Sequence, residues 1–67
     1  MFNLNEILVH KETNKKVVVD FMGVGGHNYC LKDEDNNRFH IDGIDAEKLF
    51  RLATVEEKKS FRGKSHE

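Results

Sequence analysis

Residues 17–22, Val-Val-Val-Asp-Phe-Met, are the stretch that decides the fold. β-branched and aromatic side chains favour a pleated, half-buried strand. Side chains of a strand alternate between its two faces, so the pattern predicts Val17, Val19 and Phe21 on the core side. Asp20 then lies on the opposite face. This strand is the reference from which the other elements are placed.

Short apolar segments separated by turn residues lie on both sides of this strand. Together they predict four strands near residues 4–10, 17–22, 27–32 and 38–42. The intervening segments are polar or glycine-rich: 11–16, 23–26 and 33–37. Asp, Asn and Gly accept the backbone angles of tight turns, so these segments suit hairpin loops. A spacing of about 10 residues is typical of an antiparallel meander.

Residues 45–53 allow two interpretations. A helical spacing of i, i+3, i+4 and i+7 relates four apolar residues: Ala46, Leu49, Phe50 and Ala53. This spacing predicts a helix with Asp45 as its N-cap. The competing interpretation is a short fifth strand over residues 48–52, with which a barrel can close.

A helix near the C-terminus is predicted by a capping box. Thr54 is followed three residues later by Glu57, so the two side chains can each bond the backbone N–H of the other residue. A helical turn is expected from there through Phe61. We therefore predict a single β-rich domain over residues 1–60 and a flexible tail over residues 61–67.

Composition bounds the size and setting of the protein. Its 67 residues, of which 37% are hydrophobic, suffice for one small domain. A formal net charge of −1 predicts no general attraction to nucleic acid. Cys30 is the single cysteine and cannot form an internal disulfide. No segment has the pattern of a signal peptide or a membrane span, so we expect a cytoplasmic protein of bacterial or phage type.

The predicted core takes the inward-facing positions of the strands. They are Ile7, Val9, Val17, Val19, Phe21, Tyr29, Leu31, Phe39, Ile41 and the 49–53 segment. Leu8 and Met22 are expected on the outward face, where they can form an apolar patch for a partner or a second copy. A core of this size without a disulfide is marginal, so self-association or a bound partner is expected.

The chain resembles small bacterial SH3-like barrels over residues 2–60. The resemblance begins with the aromatic Phe2, the polar pair at residues 5–6, an apolar strand, a polar hairpin and the valine-rich residues 17–19. Asn5 stands where the family pattern has Gly. Residues 50–57, with Ala-Thr-Val-Glu-Glu, are similar to the end of small bacterial and phage proteins. The resemblance implies a mainly β fold: a small antiparallel SH3-like barrel or curled meander of four to five strands with a short C-terminal helix.

The first functional hypothesis is a non-catalytic interaction module. SH3-like barrels bind peptides, nucleic acid or protein surfaces, so the fold alone leaves the partner open. We expect a protein partner or a homodimer, because exposed sheet edges pair with extended segments. One expected role of such a bacterial or phage module is to inhibit or regulate a host enzyme. The candidate contact residues are Leu8, Lys11, Lys15, Lys16, Met22, His27, Arg38 and His40.

Two alternatives remain open at this point. The first is a nucleic-acid-binding barrel that uses the Lys11–Lys16 hairpin to contact phosphates. The second is a zinc or Cys-dependent protein, suggested by the spacing of His27 and Cys30 and by His40 on the next strand. Residues three apart on a strand point to opposite faces, so we expect no metal at His27 and Cys30. Because a chain this small rarely encloses an active site and no other residues suggest one, we also expect no cofactor and no enzymatic activity.

Overall fold

The computed structural model describes residues 2–61 and contains, within them, one five-stranded antiparallel sheet, two short α-helices and the 3-10 turn Val24–Gly26. The strands are β1 (Ile7–His10), β2 (Lys16–Met22), β3 (Asn28–Asp33), β4 (Arg38–Asp42) and β5 (Phe50–Leu52). The helices are α1 (Gly43–Leu49) and α2 (Val55–Ser60). The strand order is β4-β3-β2-β1-β5. The prediction of a mainly β, antiparallel fold with a short helix near the C-terminus is confirmed. Neither described helix is long and apolar enough to cross a membrane.

The chain reverses direction at residues that tolerate positive φ. Asn5, Asn14 and Asn36 have φ of 70°, 63° and 68°, and Gly25 has φ of 71°. Asn reaches this left-handed conformation more readily than other residues that carry a Cβ. Asn5 therefore adopts a backbone conformation that glycine favours, and its N–H donates to the Val19 carbonyl at 2.8 Å.

Residues 45–53 contain both of the predicted elements in succession. α1 ends where the N–H of Phe50 donates to the carbonyl of Ala46, and β5 begins at the same residue. The prediction of Asp45 as the N-cap is wrong. The helix begins at Gly43 directly after β4, so Asp42 is the N-cap and Asp45 lies in the first turn.

The larger part of the core lies on the sheet face covered by α1, which we call the α1 face. Its buried members are Phe2, Leu8, Val17, Val19, Tyr29, Leu31, Ala46 and Phe50. The N-terminal segment is held over this face because the N–H of Phe2 donates to the Tyr29 hydroxyl at 3.1 Å. Met22 and Ile41 are half-buried and pack against the same cluster.

A smaller cluster lies on the opposite face, which we call the α2 face. Its members are Ile7, Val9, Val18, Ala53 and Phe61. Phe61, which the sequence places in the tail, is buried because α2 brings the chain back over the sheet. The rest of the predicted tail, residues 62–67, lies outside the described residues.

The prediction that Leu8 faces outward is wrong, because β1 is covered on both faces. Leu8 and Val9 point to opposite faces, and each is almost completely buried. β1 lies between β2 and β5 within the sheet. The α1-face cluster covers one of its faces, and the α2-face cluster covers the other.

Two further predictions of side-chain direction, those for Phe21 and Met22, are corrected by a β-bulge in β2. The β2–β3 register shifts between Val19 and Phe21, so Asp20 is an extra residue. An extra residue moves every following side chain to the other face. Phe21 is therefore 63% exposed on the α2 face, and Met22 packs against the core of the α1 face. Phe39 keeps its predicted face but is 39% exposed, because β4 is the edge strand.

α2 is anchored by one ion pair and by the predicted capping box. The Arg51 guanidinium donates to both carboxylate oxygens of Glu57 at 2.9 Å. The Glu57 N–H donates to the Thr54 hydroxyl, and the Thr54 N–H donates to the Glu57 carboxylate. The hydrogen bond from Arg51, followed by that from Thr54, lowers the pKa of Glu57 to about 2. The capping box at Thr54 is confirmed.

The burial of Leu8 predicts a large difference between two leucines that face each other. Leu8 pairs with Leu52 across β1 and β5, but Leu52 is half-exposed. We expect Leu8→Ala to lower the free energy of unfolding by about 2–5 kcal/mol, because it leaves a cavity in the core. Leu52→Ala should change it by less than about 0.5 kcal/mol. Urea unfolding of both variants measures this, and equal effects would contradict the burial of Leu8.

The Arg51–Glu57 pair predicts a dependence of stability on pH. The Glu57 pKa is near 4.5 in the unfolded chain and about 2 in the folded one. The pair therefore stabilises the fold fully above pH 4.5, and this contribution is lost as the pH falls towards 2. In urea unfolding, the free energy of unfolding of wild type should exceed that of Glu57→Gln by most at neutral pH. The difference between the two should shrink as the pH is lowered. A difference independent of pH would show that the carboxylate does not carry this contribution.

Candidate interaction surface

The two edges of the sheet differ in how many of their backbone groups are already bonded. β5 forms one edge and is only three residues long. The Leu49 carbonyl accepts from the Lys11 N–H, and the Ala53 N–H donates to the Ile7 carbonyl. By the alternation of an antiparallel pair, Phe50 and Leu52 therefore turn their backbone groups outward. The Phe50 N–H donates to Ala46, and the Leu52 carbonyl accepts from the Arg51 guanidinium at 3.2 Å. This edge is short and partly satisfied by the chain itself.

The other edge is the outer side of β4. The Asp33 N–H donates to the Asn37 carbonyl and the Gly43 N–H to the His27 carbonyl, which sets the alternation of the β3–β4 ladder. In an antiparallel pair every second residue turns its N–H and C=O away from the neighbour. Arg38, His40 and Asp42 are these residues in β4. The alternation therefore gives three consecutive outward positions along this edge.

No strand among residues 2–61 pairs with the outer side of β4. The backbone groups of Arg38 and His40, together with the N–H of Asp42, form what we call the open edge. Natural edge strands are commonly protected by charged side chains, especially lysine, by proline or by a bulge. β4 contains no lysine and no proline, its register with β3 is continuous over five pairs, and its two charged residues, Arg38 and Asp42, have opposite signs. The open edge therefore has the properties of a surface that accepts another strand.

A row of three side chains crosses the α2 face next to the open edge. Phe21, Cys30 and His40 are direct neighbours across β2, β3 and β4. Directly opposed residues place their Cβ atoms about 4.5–5.5 Å apart. Cys30 is buried between an exposed phenyl ring and an exposed imidazole. The row combines an apolar ring with a polar group beside unpaired backbone.

Charged side chains form the next row on the same face. The Arg38 Nε donates to an Asp20 carboxylate oxygen at 2.8 Å, which joins β4 to the bulge of β2. Lys32 lies between them on β3 and is only 9% exposed. The bulge and Arg38 thus define one side of the surface.

A shallow depression lies at the end of β4. It has a volume of about 260 Å³ and is lined by Asn28, His40, Ile41 and Asp42. Its lining combines edge-strand side chains with the start of β3. A depression of this size next to exposed backbone suits a side chain of an added segment.

The structure brings together only some of the predicted contact residues. Arg38 and His40 are exposed on the same face of β4. Leu8 and Met22 belong to the core cluster of the α1 face and do not reach this surface. His27 is exposed at the end of the 3-10 turn Val24–Gly26, before β3 begins.

The three lysines of the first hairpin lie apart from Arg38 and His40. Lys11 donates through Nζ to the Glu47 carbonyl at 3.4 Å. Lys15 and Lys16 line a depression of about 130 Å³ together with Asp33, Glu34 and Asp35. The basic hairpin therefore lies beside the acidic β3–β4 turn.

This acidic turn is built on Asp33. Its carboxylate accepts the N–H groups of Asp35 and Asn37, both at 2.9 Å. The hydrogen bond from Asn37 is the main cause that lowers the pKa of Asp33, and the charge of Lys15 adds to it. The negative charge next to the hairpin is therefore maintained at neutral pH.

Within residues 2–61, no group of three or more His, Cys, Asp or Glu side chains is placed to hold a metal ion. Cys30 and His40 are cross-strand neighbours, but Cys30 is buried. His27 precedes the first residue of β3 and is not part of the strand. The spacing of His27 and Cys30 therefore does not bring those two residues together on one face.

No family model, no curated protein and no solved structure matches this chain.

The sequence predicts Arg38 and His40 as contact residues of this surface but does not predict that Phe21 is exposed beside them. Phe21 has the alternation of a core residue, and only the bulge at Asp20 exposes it. Asp20 itself was expected on the face opposite Phe21 but bonds Arg38 on the same face. An acidic residue within a valine-rich strand is the one signal that marks the site of the bulge.

The exposure of Phe21 predicts that it contributes little to stability. We expect Phe21→Ala to lower the free energy of unfolding by less than about 1 kcal/mol. Phe50→Ala, a matched change in the core, should cost about 3–5 kcal/mol. Urea unfolding followed by circular dichroism compares them, and a large loss on Phe21→Ala would place its ring in the core instead.

Proposed function

We propose that this protein is a non-catalytic interaction module that binds an extended segment of a protein partner along the open edge. The added segment pairs with β4 as a sixth strand. Main-chain hydrogen bonds supply affinity in this mode, and side chains at alternate positions supply specificity. In a bacterial or phage setting, such binding inhibits or regulates a host enzyme.

The difference between the two sheet edges is the observation that carries this proposal. At β5, the Phe50 N–H and the Leu52 carbonyl are already bonded. At β4, Arg38 and His40 turn unpaired backbone groups outward within the described residues. Unpaired N–H and C=O groups in a row are a template for another strand.

The side chains next to the open edge support a protein ligand. Phe21 presents an exposed aromatic ring, and aromatic residues are enriched where proteins bind one another. His40 and Arg38 add hydrogen-bond donors on the same face. An apolar anchor beside polar groups matches the composition of a protein interface.

The nucleic-acid alternative has less support. Lys15 and Lys16 lie beside Asp33, Glu34 and Asp35, so a phosphate at the hairpin would also meet negative charge. The zinc or Cys-dependent alternative is weakened by the burial of Cys30 and by its separation from His27. A free thiol does accord with a reducing compartment, so we propose a cytoplasmic location.

A relation to the SH3-like barrels is part of the same proposal. Its support is that Asn5 adopts positive φ at the position where the family pattern has Gly. The valine-rich β2 pairs with β1 as that pattern requires. SH3-like barrels include members that bind peptides, and this supports the proposed binding of an extended protein segment.

Blocking the open edge tests the proposal. In His40→Pro the lost N–H is one that points away from β3, and edge strands tolerate such prolines. We expect the variant to keep its fold. It should capture at least about tenfold less of the partner protein than wild type does. The measurement is affinity capture from nuclease-treated lysate of the source organism, followed by mass measurement of the native complex.

Val55→Pro is the matched control. Val55 is the first residue of α2, where proline is favoured, and Thr54 before it is already extended. This variant should capture the partner as wild type does. Equal capture by His40→Pro, or none by wild type, would contradict the proposal. Capture seen only from lysate without nuclease treatment, with an affinity that falls steeply with salt, would indicate nucleic acid instead.

A further inference from the structure

We infer that a second copy of this chain is a partner of the open edge, with β4 paired antiparallel to β4 about a two-fold axis at His40. The inference rests on the proposed function, since it uses the same edge. Two sheets then join into one continuous sheet. The argument comes from the order of side chains in β4 and from its free backbone groups.

The residues of β4 read Arg-Phe-His-Ile-Asp from 38 to 42. An antiparallel copy centred on His40 places Arg38 opposite Asp42, Phe39 opposite Ile41, and His40 opposite itself. Opposite charges therefore face each other twice, and apolar residues face each other twice. Such directly opposed pairs each contribute about 0.2–1 kcal/mol to strand pairing.

The backbone supplies the hydrogen bonds that this register needs. His40 turns both its N–H and its C=O outward, so the two copies of His40 can exchange a pair of bonds. The Asp42 N–H of each copy can donate to the Arg38 carbonyl of the other. The Asp42 carbonyl lies at the N-cap of α1 and belongs to the helix ladder. The register thus uses about four backbone bonds without breaking any in the chain itself.

The two charged side chains are available for this pairing. Arg38 uses Nε to bond Asp20, and its side chain is 60% exposed. Its two terminal nitrogens lie beyond that bond and can both reach a carboxylate. Asp42 is exposed, and within the described part of the chain its side chain does not cap α1. Both partners of the intermolecular pair are therefore exposed on one face.

The apolar pair covers surface that the single chain leaves exposed. Phe39 and Ile41 both point to the α1 face, and Phe39 is the more exposed of the two. In the proposed register they form a non-hydrogen-bonded pair, in which side chains approach most closely. Each copy then extends the apolar cluster of the other.

Other symmetric registers fit these residues less well. An axis at Arg38 opposes two guanidinium groups. An axis at Phe39 places Arg38 opposite His40 and leaves Asp42 beyond the paired residues. The axis at His40 pairs all five residues and opposes unlike charges. We expect a weak dimer, roughly micromolar or weaker, because a five-residue strand is short compared with a stable interface.

A charge exchange between the two positions tests the register. Arg38→Asp makes both charged positions of the edge acidic, and Asp42→Arg makes both basic. Each variant alone opposes like charges in its own dimer, so its dissociation constant should rise at least about tenfold. An equimolar mixture opposes unlike charges at both positions, so it should form a heterodimer about as strong as the wild-type dimer. Sedimentation equilibrium of the full chain measures all of these.

Control variants separate the register from net charge. Lys48→Asp on α1 and Glu12→Arg in the first hairpin make the same changes of charge at exposed positions away from β4. These controls should dimerise as wild type does, alone and mixed. His40→Pro should be monomeric, and Val55→Pro dimeric, which keeps the test valid if Arg38→Asp does not fold.

The outcomes distinguish this inference from the proposed function. A wild-type chain that stays monomeric up to about 1 mM would overturn the inference. Dimers that persist in His40→Pro would also overturn it. So would a heterodimer of Arg38→Asp and Asp42→Arg whose dissociation constant is no lower than those of the two homodimers. If capture of another protein still depends on His40 in those cases, the proposed function stands. If the dimer behaves as expected but capture does not depend on His40, the inference stands and the proposed function fails.

Discussion

Burial of β1 on both faces is the constraint around which this small protein is arranged. Leu8 and Val9 are neighbours in sequence and point to opposite sides, and each is almost completely buried. A protein with a single sheet has to cover each face with other parts of the chain. Phe2 and α1 cover one face, and Phe61 at the end of α2 covers the other. The Arg51–Glu57 ion pair and the capping box keep α2 in place for this purpose.

The segments that cover β1 leave the β4 side of the α2 face exposed within the described residues. The α2-face cluster reaches β1 and β2, so Phe21 and His40 remain exposed on the part of that face formed by β2, β3 and β4. The same strand order leaves β4 at an edge without a neighbour among residues 2–61. Within residues 2–61, the chain thus covers both faces of β1 but leaves Phe21 and His40 exposed on the β4 side of the α2 face, where the proposed interaction surface lies.

Local elements were predicted well, and side-chain faces were not. The strand over residues 38–42 and the capping box of Thr54 have the predicted bounds and geometry. Helix and strand in residues 45–53 were both predicted, as alternatives, and follow each other in the structure. Leu8, Phe21 and Met22 were assigned to the wrong side. Alternation within one strand cannot reveal that β1 is covered twice or that β2 contains a bulge.

The sequence by itself determined the secondary structure and the turns, because these depend on neighbouring residues. Asn at positions of positive φ, Asp33 bonding its own turn and Thr54 opening α2 are all local interactions. Only the tertiary structure decided which faces are buried and which edge is open. Those properties depend on contacts between residues far apart in the chain, such as Arg38 with Asp20 and Phe2 with Tyr29. For this reason the sequence predicted the fold class and named Arg38 and His40 as candidate contacts, whereas the exposure of Phe21 and the open side of β4 were decided by the tertiary structure.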